Sequence, residues 1–352
     1  MKETQRHSIY SDANTVTREE FKNPSVKYRS APFWAWNCKL EPERLAEQIP
    51  YFKEMGFGGF HMHVRAGMDL TYMSSAFLDR IAQCVEQAEI LDLIPRLYDE
   101  DCWPSGFVGG LAVKGHPELR RRTLHFTKKA SGNAYATVGR YDISLHEDGT
   151  LKSYRLLQDG ETAANTEWLA QIVVDEDTKR YADSAYIDAL NPEAVQRFIS
   201  MTHVEYKKKL GSKFGTTVPS IFTDEPRAPK GVPLPTAKDS DTAILPWTNL
   251  LPISFYKAYG VDIVTALPEL VWDLPDGKCS HVRWQFYDHV AELFAHAYFD
   301  TIGSWCEANG IDFCGHLMAE YPLKDFVTVS GEAMRCYRGM QMPGMDMLCG
   351  LY

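Results

Sequence analysis

The sequence predicts an α/β fold: a (β/α)8, TIM-barrel-like chain, incomplete at the C-terminal side, with an inserted antiparallel β subdomain. Three observations carry this. Short apolar runs alternate with helical stretches over residues 31–100 and again from residue 192, the rhythm of parallel βα units. Several of those runs stop on acids or other polar groups, as strands do where a barrel opens towards a ligand. Over residues 120–177 the rhythm gives way to alternating runs joined by glycine turns, the pattern of an antiparallel sheet. The expected division is residues 1–110 for the first part of the barrel, 111–186 for the inserted β subdomain, and 187–352 for the rest of the barrel, ending before closure.

After a polar lead, Ala31–Asn37 forms a first strand. Leu45, Ile49, Phe52 and Met55 recur at helical spacing, so a helix runs from Glu43 until Gly56 ends it. Phe57–Arg65 is the second strand, with Phe60, Met62 and Val64 on one face and His61, His63 and Arg65 on the other. A strand in a simple parallel layer is apolar on both sides, so this polar face belongs to the mouth of a barrel. Ser74 caps a helix bearing Leu78, Ile81, Val85 and Ala88, and Leu93–Glu100 supplies a third strand that ends in acids. Tyr135–Ser144 and Leu151–Leu157 mark the inserted subdomain, with turn signals at Ser131-Gly132 and Asp148-Gly149. Helical character returns from Pro192 to Leu210 and leads to Ser220–Arg227, an apolar run halted by Asp224, Glu225 and Pro226. Residues 226–252, rich in Pro, Asp, Thr and Lys, read as a long loop or lid above that strand end. A helix from His281 to Asn309, stopped by Gly310, precedes a fifth strand, Asp312–Glu320, on which His316, Met318 and Glu320 share a face. A sixth short strand is expected around Gln341–Leu348, and closure would need further βα units, so the chain reads as the front part of a longer barrel.

With 352 residues and 45% hydrophobic content, the chain can bury a large core. Its net charge of −10 comes without a dense Lys/Arg run, which argues against nucleic acid and for a neutral or cationic partner. The opening residues lack the apolar centre of a signal peptide and no run reaches transmembrane length, so a cytoplasmic protein without membrane contact is expected. Eight cysteines form no C-x-x-C pair and lie mostly in apolar stretches, the pattern of reduced, buried thiols.

The C-terminal ends of barrel strands converge on one rim. That rim would gather Asn37, the His61/His63/Arg65 face, Asp99 and Glu100, Asp224 and Glu225, and His316 with Glu320. Neighbouring residues on a strand face opposite ways, so of Asp224 and Glu225 one acts on a ligand and the other braces the loop. Two carboxylates, one protonated and one ionised, are the minimum equipment for glycoside hydrolysis. Trp34, Trp36 and Trp103 would supply the aromatic surfaces that sugar C–H faces pack against. Core packing and helix capping account for any one of these residues alone; their recurrence at successive strand ends favours a site. The His-x-His pair also permits a metal-dependent hydrolase with His316 as a third imidazole, while the acids suit an oxygen-rich calcium site better.

Five runs carry a resemblance: Phe33-Trp-Ala-Trp-Asn37, Gly56-Phe-Gly-Gly-Phe-His-Met-His-Val-Arg65, Tyr98-Asp-Glu-Asp-Cys-Trp-Pro-Ser-Gly-Phe-Val-Gly-Gly110, Phe222-Thr-Asp-Glu-Pro226 and Gly315-His-Leu-Met-Ala-Glu320. In this order they resemble glycoside hydrolase family 106, the α-L-rhamnosidase group, over residues 30–350. The resemblance implies a (β/α)8-type catalytic domain, carbohydrate as substrate, inversion at the sugar carbon, a nearby calcium ion and no organic cofactor. Carried over by motif, Glu225 becomes the candidate general acid and Glu320 the candidate base or calcium ligand. His61, His63, Arg65, Asp99, Glu100, Asp224 and His316 would hold sugar hydroxyls, with Trp34, Trp36, Asn37 and Trp103 around them. Members of that family are longer than this chain, so a carbohydrate-binding fragment without turnover is the further alternative.

Overall fold

The structure, a computed structural model, describes residues 17–320 and 323–347. Most of the polar lead, Cys349 and Leu348 at the end of the expected sixth strand lie outside the described residues. The strands are β1 (Phe33–Trp36), β2 (Gly59–Val64), β3 (Ile94–Tyr98), β4 (Arg122–Thr127), β5 (Ala136–Leu145), β6 (Leu151–Leu156), β7 (Thr166–Val174), β8 (Ser220–Asp224), β9 (Thr242–Trp247), β10 (Asp312–His316) and β11 (Met342–Pro343). Six of them form an all-parallel sheet in the order β1-β2-β3-β8-β10-β11. Helices at Pro42–Glu54, Ser75–Ile90 and 281–309 make the crossovers, as the sequence rhythm predicts. Among the described residues β11 does not pair with β1, so the sheet is an open one and no complete barrel is formed.

Local chemistry explains the punctuation. Ser74 accepts the Phe77 N–H and starts its helix, and Gly310 closes the 281–309 helix in the left-handed region at φ 70°. That helix carries a π segment at Ala295–Asp300, from which the Tyr298 hydroxyl lies 2.9 Å from Thr223 Oγ1 in β8. Gly315, at φ 140°, lets β10 close on β8, since a Cβ there would stand 2.1 Å from the Thr223 carbonyl oxygen.

Register decides which side chains share a face. Phe33 pairs with His61, Ala35 with His63, His61 with Arg96, Tyr98 with Phe222, and Asp224 with His316. These share one face of the sheet, and Phe33, His61, His63, Phe222, Asp224 and His316 on it line a cavity. The alternate residues, among them Phe60, Met62 and Val64, are fully buried under the helices. Trp34 and Trp36 belong to this outer set, which corrects their assignment to the ligand rim. Trp36 is 1% exposed, Trp34 stacks edge-on against Phe52 and Phe60, and the Trp34 indole N–H donates to Gln48 Oε1 at 2.9 Å. Both tryptophans are core residues.

The second sheet is antiparallel, in the order β6-β5-β7-β4-β9. Its fifth strand corrects the reading of residues 226–252 as loop, because Thr242–Trp247 pairs with β4 along its length. The sheet therefore draws on two separate stretches of chain. Its core, Phe126, Tyr141 and Trp168, is closed by Trp272, whose ring meets Trp168 edge-on at 4.9 Å.

The described cysteines form no disulfide; Cys84, Cys306, Cys314 and Cys336 are buried, while Cys38 and Cys279 are exposed. No described helix is long and apolar enough to cross a membrane.

Candidate active site

The C-terminal edge of the parallel sheet opens on a cavity of about 910 Å³. Its walls include Phe33, His61, His63, Arg65, Trp103, Phe222, Asp224, Glu225, His316 and, from the segment after β11, Gly344, Met345 and Asp346. Seven residues singled out in the sequence thus meet here: His61, His63, Arg65, Trp103, Asp224, Glu225 and His316. Phe33, Phe222 and Asp346 are additions that the structure makes. Alternation in β8 puts Phe222 on the face of Asp224 and could have pointed to it, as an acid just past β11 could to Asp346; Phe33 carries no such local signal.

Asp224 is the fixed centre. Tyr98 donates its hydroxyl to Oδ2 at 2.8 Å, and His316 Nε2 lies 3.0 Å from Oδ1. The other ring nitrogen of His316 donates to the Leu317 carbonyl at 3.1 Å. Burial works against a charge on His316, but Asp224, Glu320 and Glu225 outweigh it and raise its pKa to about 9, so the ring is an imidazolium at neutral pH. His63 is the converse. Burial, only partly opposed by Asp224, lowers it to about 4, and its buried Nε2 has no hydrogen-bond partner and lies 3.9 Å from Asp224 Oδ2. His61, lowered to about 3 by burial and by Arg96, anchors its Nδ1 on the Ala31 carbonyl at 3.1 Å.

Glu225 has a different setting. It follows β8 at φ 47°, in the left-handed region that a glutamate rarely occupies and that clusters at functional sites. It is half-buried, and its Oε2 accepts the Trp103 indole N–H at 2.5 Å. Burial raises its pKa above the ordinary glutamate value, against the lowering effects of Trp103 and of the His316 charge. A carboxyl so placed holds a proton to a higher pH than a free one, and its conjugate base has an N–H and an imidazolium at hand.

Four expected site groups do other work. Glu100 is fully buried and accepts five main-chain N–H groups: Oε2 takes those of Gly106, Phe107 and Val108, and Oε1 those of Asp101 and Gly109. It clamps loop 101–110 and is not among the residues that line the cavity. Asp99, also fully buried, takes the Ser105 hydroxyl at 2.5 Å. Asn37 is exposed beyond β1, off the cavity wall. Glu320 follows the end of β10 at His316 and the bend at Ala319, φ 59°; its Oε2 lies 3.7 Å from His316 Nδ1, yet it is off the cavity wall. Its Oε1 accepts the Leu317 N–H and the Tyr337 hydroxyl, and its Oε2 the Asp346 N–H at 2.5 Å. Glu320 fixes the segment that carries Asp346.

The same geometry tests the metal readings. Among the described residues, Glu225, His316 and Asp346 are the group with ligand atoms close enough to share an ion, all within 4.8 Å of one another. His316 donates from both ring nitrogens and has no lone pair to offer, and the oxygens of Glu320 are already engaged. Calcium asks for about six to eight oxygens, which this donor set does not supply. The imidazoles of His61, His63 and His316 form no ligand set either.

Fold and cavity together define a class: an open parallel βα sheet with a cavity at the C-terminal ends of its strands. Among solved structures the chain is similar to the rhamnosidase from Novosphingobium sp. PP1Y, with a TM-score of 0.57 and 13% identity over 92% of this chain and 48% of that one. A family GH13_31 enzyme matches more weakly, with a TM-score of 0.36 and 10% identity over 85% of this chain and 48% of the other. The chain thus spans about half the length of these structures, and at such identity the first likeness speaks to fold alone. No protein-family model and no curated protein matches the sequence.

Proposed function

We propose that this chain is a glycosidase in which Glu225 is the general acid, acting on α-L-rhamnosides or related deoxysugar glycosides. The observation that carries the reading is the state of Glu225: a half-buried carboxyl of raised pKa, gripped by an indole N–H at the wall of a cavity large enough for a sugar ring. Its proton goes to the glycosidic oxygen. The carboxylate left behind is stabilised by Trp103 Nε1–H and by the charge on His316. The exposed Arg65 on the cavity wall is free to bond ring hydroxyls, while Phe33 and Phe222 offer an apolar surface to sugar C–H groups and to the methyl of a 6-deoxysugar.

The second carboxylate of this reading is Asp346. Its nearest approach to Glu225, within 4.8 Å, is the spacing of a nucleophile acting on the same carbon and is shorter than the roughly 6.5–9.5 Å that leaves room for water. The spacing supports retention, whereas the family resemblance, with Glu320 as base, implies inversion. Proton NMR of the first anomer released decides between them. The reading as a whole is tested by hydrolysis of an aryl α-glycoside panel, with and without calcium, by the chain and by its Glu225→Gln and Asp346→Asn forms. Turnover abolished by Glu225→Gln supports it; turnover indifferent to Glu225→Gln, or none on any glycoside, removes it.

A further inference from the structure

Two guanidinium groups crowd one indole. Arg227 Cζ lies 4.5 Å from the centre of the Trp103 ring and Arg180 Cζ lies 5.1 Å from it. They arrive from distant parts of the chain, Arg227 just past the β8 strand end and Arg180 from the Lys179–Tyr181 turn after β7. Each gains something from the ring, but like charges so close repel. Arg227 is held below the ordinary arginine range, by burial first and by Arg180 next.

Neither guanidinium has a carboxylate of a described residue in ion-pair contact. Arg120, Arg121, Arg140, Arg155, Arg283 and Arg335 each hold a carboxylate. Among the described residues Arg180 and Arg227 hold none, and the buried Arg227 Nε has no hydrogen-bond partner at all. In a chain of net charge −10, acids are plentiful, yet the one whose charge reaches Arg227 is Glu225, which makes no ion pair with it. Glu225, the nearest acid in sequence, gives its Oε2 to the indole instead. A half-buried guanidinium without a partner is costly, and an anion bound in a fork of two guanidiniums relieves that cost.

We infer that Arg227 and Arg180 form a subsite for an anionic group, a carboxylate or a sulfate ester, carried by the sugar on the leaving-group side of the bond. The position comes from Trp103, which joins the pair to Glu225: a general acid stands beside the leaving oxygen, so a group one indole away belongs to the leaving portion. The substrate class is then a glycoside of an acidic sugar. This location rests on the glycosidase reading, but binding of the anion does not depend on turnover.

The test is ligand-observed NMR titration of the chain with methyl β-glucuronide, methyl β-glucoside and glucose 6-sulfate, repeated on Arg227→Met and Arg180→Met. Arg180 is exposed, so its variant keeps the test open if Arg227→Met does not fold. The acidic probes should bind about 10-fold tighter than the glucoside, with a preference that weakens as salt rises and shrinks to about twofold in either variant. Preference for the glucuronide alone assigns a carboxylate, and for the sulfate alone a sulfate ester. Equal binding of all three probes, or a preference that survives both substitutions, overturns the subsite. If acidic probes are preferred but no glycoside is cleaved, the glycosidase reading falls and the anion subsite stands; if neutral glycosides are cleaved with no such preference, only the subsite falls.

Discussion

Two strands of the same sheet end on the same dipeptide and use it in opposite ways. After β3 come Asp99 and Glu100, both fully buried; at the end of β8 come Asp224 and Glu225, both lining the cavity. The difference lies in the loop beyond each pair. Past Glu100 the chain is glycine-bearing and turns back on itself, with Gly106 and Gly109 at positive φ, so a row of N–H groups folds over the carboxylate. Past Glu225 stands Pro226, which has no N–H to give. Glu225 is left with a side-chain donor from another loop, and with an edge towards the cavity. An acidic strand end is therefore structural or chemical according to the donors its own loop can return.

Substitution at the two glutamates breaks the comparison most sharply. Glu225→Gln should lower kcat/KM by about 10²–10⁴-fold with no change in the thermal midpoint. Glu100→Gln should instead lower stability by about 3 kcal/mol or more, because an amide cannot accept what two carboxylate oxygens accept, and buried N–H groups are left bare. Paired denaturation and rate measurements separate the cases; equal loss of stability in both variants would erase the distinction. A smaller effect is expected at Ser105, which donates to Asp99 and accepts the Asp224 N–H, so that it ties the two strand ends together. Ser105→Ala should cost about 1–2 kcal/mol, and a double-mutant cycle with Glu100→Gln should show coupling, since both residues set loop 101–110.

The gentlest probe is pH. His316 is raised from 6.5 to about 9, so the stability it contributes is complete below pH 6.5 and is lost as pH rises through about 9. Urea midpoints should fall over that window in the parent chain and stay flatter in His316→Gln. Because the His316 charge also holds down the pKa of Glu225, the same variant should move the alkaline limb of kcat/KM to higher pH. An unmoved limb would mean that His316 and Glu225 are not in electrostatic contact.

Much of the sheet is legible in the sequence because βα rhythm depends on local spacing alone. The cores of β1, β2, β3, β8 and β10 fall inside the stretches read from the sequence. The face of a strand is less legible: β1 alternates aromatics and alanine, and nothing local says that Phe33 turns inward while Trp34 and Trp36 go under helices. β9 escapes a reading by pattern because Pro246 spoils it, yet β9 is an edge strand, where proline is tolerated. Glu320 misleads because one left-handed residue, Ala319, ends the alternation: its carboxylate lies 3.7 Å from His316 Nδ1 but is not on the cavity wall.

The β9 edge also sets a clock. Thr127 of β4 and Thr242 of β9, whose hydroxyls meet at 2.7 Å, are 115 positions apart. At about 5–20 residues per second of synthesis, β4 waits roughly 6–23 s for its partner. Through that interval its ladder of N–H and C=O groups is open to any other nascent chain, while the opposite border, β6, carries Lys152 and Arg155 to discourage such pairing. For the newly made protein, the hazardous border is the one that ends up covered.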